Sequence, residues 1–81
     1  MRLIATIPGL LYVADAAGQL HVLPARGGSG HVVPYADIEA RSLRRHAGWL
    51  ERQGKQQQAD EYDLAADALE ALTAVPVAVA A

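Results

Sequence analysis

The spacing of apolar residues changes at Pro34, and that change sets the architecture. Before Pro34 they recur mostly every second residue, as in strands; after it they recur every three or four, as in helices. Leu3-Ile4-Ala5-Thr6-Ile7 is β-branched enough for a strand, which Pro8-Gly9 ends or kinks. Leu10 to Ala14 and Gln19 to Leu23 flank Asp15-Ala16-Ala17-Gly18, a turn composition, and so predict a hairpin. With residue 14 facing residue 19, Leu11 pairs with Val22 and Val13 with Leu20 on an aliphatic face. Tyr12 then meets His21 on a mixed face.

Pro24 cannot donate to a ladder, and Arg26-Gly27-Gly28-Ser29-Gly30 is a flexible connection to a short strand at His31-Val32-Val33. A phosphate-binding loop would need Gly-Lys-Ser/Thr ahead of a helix; here His31 and two valines follow.

Beyond Pro34 the pattern predicts two helices. Asp37 is the expected N-cap of the first, with Glu39 in its first turn, a run to about Gln53, and Gly54 as the left-handed residue beyond its end. Its seam is Ala36, Ala40, Leu43, Ala47 and Leu50. The second helix is expected from Gln57 to Thr73, before Val75-Pro76. Its seam is Tyr62, Ala65, Leu69 and Leu72, with the acidic row Asp60, Asp63, Asp67 and Glu70 opposite. So short a connection makes the helices antiparallel.

A sheet with one apolar face and a helical hairpin with one apolar seam bury each other. The expectation is a single α+β domain over residues 1–81, in which a short antiparallel sheet or meander packs against a C-terminal antiparallel helical hairpin. Residues 1–34 form the β-rich half, 35–73 the helical hairpin and 74–81 a flexible tail. The core is modest: Leu, Ile and Val total 20, Phe is absent and Ala supplies 17 residues, each burying one methyl. Leu64, Ala68, Ala71 and Val75 make a further stripe that either widens the core contact or seals a subunit interface. Arg2, the stretch Leu3 to Val13 and Ala14-Asp15-Ala16 resemble a signal peptide, but Pro8-Gly9 and Asp15 interrupt that pattern and the segment is read as part of the fold.

Chemistry is sparse. There is no cysteine, and His21, His31 and His46 show neither HExxH nor i,i+4 spacing, so no metal or other cofactor is expected. Ser29 and Ser42 lack a nucleophile context, so neither enzymatic activity nor a small-molecule substrate is expected. The charge pattern says more than the net charge of −2. Residues 41–55 hold five bases against one acid, while residues 56–81 hold five acids and no base. That sign change disfavours nucleic acid as the partner, since duplex binding wants a basic face without an acidic neighbour. The candidate protein-binding residues are Arg41, Arg44, Arg45 and Arg52 with Trp49 on the first helix, and Asp60, Asp63, Asp67 and Glu70 on the second. Arginine binds carboxylates through paired hydrogen bonds, and an aromatic beside arginines is a composition enriched in interface centres. Trp49 as filler between helix and sheet, the arginines as solvated or paired with the neighbouring acids, and the acidic row as a solvated face are the structural alternatives.

Asp37-Ile38 through Ala47-Gly48-Trp49-Leu50, with Ala59-Asp60-Glu61 and Leu69-Glu70-Ala71-Leu72, resembles the helical hairpin of small phage-encoded inhibitors of the anti-CRISPR type. The resemblance covers residues 37–72. It implies a stoichiometric inhibitor of a host protein or complex, acting in the bacterial cytoplasm with no membrane association. The basic first helix departs from the acidic surfaces such inhibitors often use. Alternative expectations are a small nucleic-acid-binding regulator or antitoxin-like component, and an oligomeric phage structural or assembly subunit; a homodimer fits the apolar stripes.

Overall fold

The computed structural model describes residues 1–80, with side chains as far as Leu72, so the tail expected over 74–81 lies outside the fully described residues. Strands β1 (Arg2–Ile7), β2 (Leu10–Ala14), β3 (Leu20–Pro24) and β4 (His31–Val33) form one antiparallel sheet in sequence order. Helices α1 (Ala36–Arg52) and α2 (Gln56–Ala80) follow and pack on each other, giving the α+β arrangement the residue spacing predicts. Where α2 was expected to stop at Thr73, its bounds reach Ala80. Among the described residues no helix is long and apolar enough to cross a membrane.

Pro8-Gly9 does not merely end β1. It forms a two-residue hairpin turn, with Ile7 opposite Leu10. A bulge between Leu3 and Ala5 lets Ile4 lean on the core beside Ala5.

The β2–β3 register differs from expectation by one residue. Asp15 Oδ1 accepts hydrogen bonds from the backbone N–H of Ala17 and of Gln19, both at 2.9 Å, and the Asp15 N–H donates to the Gln19 carbonyl at 3.0 Å. The turn therefore takes three residues rather than four, and Ala14 faces Leu20 instead of Gln19. A one-residue slip changes every cross-strand partner. Tyr12 opposes Val22 and turns inward, 1% exposed, while Val13 opposes His21 on the outer face.

The helices cover the sheet face formed by Ala5, Ile7, Leu10, Tyr12, Leu20 and Val22, with Val33 at its margin. Ala40 and Leu43 from α1 and Ala65, Ala66 and Leu69 from α2 complete this core. A satellite cluster of Ala47, Leu50 and Ala59, backed by Tyr62, closes the connection end of the hairpin. Three alanines at 0% exposure, Ala40, Ala59 and Ala66, mark where the small side chains let backbones approach. Among the described residues no helix packs on the other sheet face, where Val13 is buried but Leu3 and Val32 are exposed.

Helix α1 begins one residue before Asp37. Its N-cap is Tyr35, in extended conformation and without a side-chain capping bond, and Asp37 sits in the first turn, where a carboxylate still complements the helix dipole. The first helical hydrogen bond runs from the Glu39 N–H to the Tyr35 carbonyl at 3.1 Å, which sets the cap two residues ahead of Asp37. At the other end the Gly54 N–H donates to the Glu51 carbonyl at 3.0 Å and the Lys55 N–H to the Leu50 carbonyl at 2.9 Å, with Gly54 at φ 78°. This is the Schellman closure the sequence predicts, and it reverses the chain into α2. The loop before β4 is less free than its composition implies, since a Cβ on Gly30 would collide with the Val22 carbonyl and the Leu23 side chain.

Candidate protein-binding face

One side of α1 is fixed by burial: Ala40, Leu43, Ala47 and Leu50. At about 100° per residue the diametrically opposite line runs through Ile38, Arg41, Arg45, Trp49 and Arg52. The three arginines are exposed and make no ion pair among the described residues. Ile38 and Trp49 are 51% and 46% exposed, so neither is a core residue that strays outward. Ile38, Arg41, Arg44 and Arg45 line an open groove of about 430 Å³. Trp49 therefore does not fill a gap between helix and sheet. Its ring lies against His46 (centroids 5.6 Å, 28° between planes), and His46 leans on Tyr62 of α2 at 4.6 Å.

Arg44 has a different role from its neighbours. Its Nη2 donates to Asp67 Oδ1 and to Glu70 Oε1, each at 2.5 Å, its Nε donates to Glu70 Oε2 at 3.4 Å, and Nη1 lies 3.6 Å from Asp63 Oδ1. Hydrogen bonding to Glu70 and then Asp67 holds the guanidinium even more firmly protonated than an ordinary arginine. It is a clamp between the helices and leaves the basic strip with three members.

The acidic row is accordingly not opposite the α2 seam but along its border. Asp63, Asp67 and Glu70 each follow a seam residue (Tyr62, Ala66 and Leu69), and one residue of helix turns the side chain about 100°, onto the flank that faces α1. Asp60 stays apart and accepts a bond from the Gln56 side chain at 2.8 Å. The expected pair of opposed charged faces is thus one free basic face and one acidic row that largely meets Arg44. Leu64 is 68% exposed beside a cavity of about 240 Å³ shared with Ile4, Ala5 and Thr6, and Leu64, Ala68 and Ala71 do not join the core; Val75 of the same stripe lies outside the described side chains.

Two polar contacts escaped sequence reasoning. The Tyr12 hydroxyl donates to Glu39 Oε2 at 2.5 Å, tying β2 to α1. Burial, reinforced by this bond, raises the phenol well above its ordinary value. The His21 ring Nε2 pairs with Asp15 Oδ2 at 2.9 Å, and that bond, followed by the Gln19 N–H, holds the Asp15 carboxyl below its usual range. The His46–Trp49 spacing of three residues was a readable signal for the ring contact. The Tyr12 contact needed the correct register, which the Asp15 turn decides.

Among the described residues no group of three His, Cys, Asp or Glu is placed to hold a metal ion. Comparison with protein-family models, with curated proteins and with solved structures finds no match to this chain.

Proposed function

We propose that this chain is a non-enzymatic binding protein that occupies a surface on a protein or protein complex through the outer face of α1. In the form the sequence resemblance implies, it is a phage or mobile-element inhibitor acting stoichiometrically on a host component in the host cytoplasm. One observation carries the reading: Arg41, Arg45 and Arg52 share a single exposed line with Ile38 and Trp49 and have no partner among the described residues. Free guanidiniums beside exposed apolar anchors are the composition concentrated at interface centres. Holding five such residues on the rigid side of a packed helix also lowers the ordering cost of binding.

The test is capture and identification of the target with the tagged wild-type chain, in parallel with Arg41→Glu/Arg45→Glu, followed by titration of the purified target's activity. The expected result is a target lost with the charge-reversed variant and fully inhibited near one equivalent. Equal capture by both forms overturns the α1 assignment. Turnover of the target, with one copy modifying many, overturns the stoichiometric reading.

A further inference from the structure

We infer that the groove over α1 receives an acidic amphipathic helix presented by the partner protein. This rests on the reading of α1's outer face as the binding face and names what that face binds. Charge complementarity sets the sign, because three unpaired guanidiniums lie along one line of α1 and call for carboxylates at matching heights. Ile38 and Trp49, eleven residues apart, bracket Arg41 and Arg45, and Arg52 follows one turn beyond Trp49. At about 1.5 Å per residue the two anchors stand about 16 Å apart, so the ligand needs two apolar side chains at that separation with acids between them.

A helix laid along α1 repeats the same axial rise, and so meets anchors and arginines together in ridge-and-groove packing. A small anion would engage an arginine but would leave Ile38 and Trp49 in water. A nucleic-acid backbone fits less well, because Asp37 stands one helical turn before Arg41, the Asp67 carboxylate sits on Arg44 at the edge of the groove, and Ile38 offers a phosphate nothing.

The probe is a synthetic helical peptide, fluorescein-labelled, with leucines eleven residues apart and glutamates one and two turns between them. A second peptide replaces each glutamate by glutamine, and a labelled DNA duplex is the third ligand. Binding is read by anisotropy and by the emission of Trp49, the one tryptophan in the chain. The expected result is binding of the acidic peptide with a shift in Trp49 emission. Affinity should fall about tenfold or more in Arg41→Glu/Arg45→Glu or with the glutamine peptide, fall with added salt, and hold in Arg2→Glu. Equal binding of the glutamine peptide, retention by the charge-reversed variant, or tighter binding of the duplex at the same salt overturns the inference. Should the acidic peptide fail while the captured target still requires Arg41 and Arg45, the partner class falls and the face stands. Should both fail, the face falls as well.

Discussion

The Tyr12 hydroxyl donates a 2.5 Å hydrogen bond to Glu39, joining the centre of the sheet to the first turns of α1 at a boundary where, among the described residues, sheet and helices otherwise pack through apolar side chains. Glu39 is partly buried, so removing its donor leaves a carboxylate short of a partner it cannot fully replace with water. Tyr12→Phe should destabilise the chain by about 1–2 kcal/mol in urea unfolding at neutral pH.

The same phenol fixes a pH dependence. The folded chain holds the Tyr12 proton above the ordinary tyrosine value, while the unfolded chain releases it near about 10. The unfolded state therefore binds fewer protons above that pH, and stability falls as pH rises past it. Urea midpoints at pH 9 and pH 11 should show this loss in the wild-type chain and a smaller one in Tyr12→Phe.

Arg44→Met keeps the aliphatic stem but leaves Asp63, Asp67 and Glu70 facing each other without a cation. The melting temperature should drop by a few degrees in low salt, and added sodium chloride should narrow the difference from wild type by screening the carboxylates. Arg41→Met, on the free strip, should leave the melting temperature unchanged.

Asp15 is held below its ordinary value by His21 and the turn N–H groups. Its carboxylate thus contributes stability that is present above about pH 3.9 and is lost as pH falls through the lower folded-state value. Asp15→Ala should be less stable than wild type at pH 6, and the gap should close on acidification towards pH 2. A gap that persists unchanged there would place the effect in the turn backbone instead of the ionised carboxylate.

Gly54→Ala tests the helix connection. Nothing lies within 4 Å of an added Cβ, so the whole cost is the left-handed backbone at φ 78°. About 1 kcal/mol of stability should be lost without any change in peptide binding.

The legible parts of this chain were those set by short-range pattern. The change of period at Pro34, the helix stop at Gly54 and the seam Ala40, Leu43, Ala47 and Leu50 all follow from spacing and backbone preference, and the structure places each as expected. The line Arg41, Arg45, Trp49 and Arg52 was readable for the same reason, since a packed helix presents fixed angles. Contacts between elements were not. The Asp15 side chain takes two backbone N–H groups and shortens the turn by a residue, which exchanges the partners of Tyr12. Arg44 differs from Arg41 and Arg45 only by its angle toward α2, which depends on how the two helices meet.

That grip on three carboxylates spread over two turns of α2 acts as a detent. Sliding one helix along the other by a turn would pull the guanidinium off at least one of its anchors, so axial alignment does not depend on the short bend at Gln53 to Lys55. Extra residues spliced into that bend would bulge into water and leave the two helices meshed as they were.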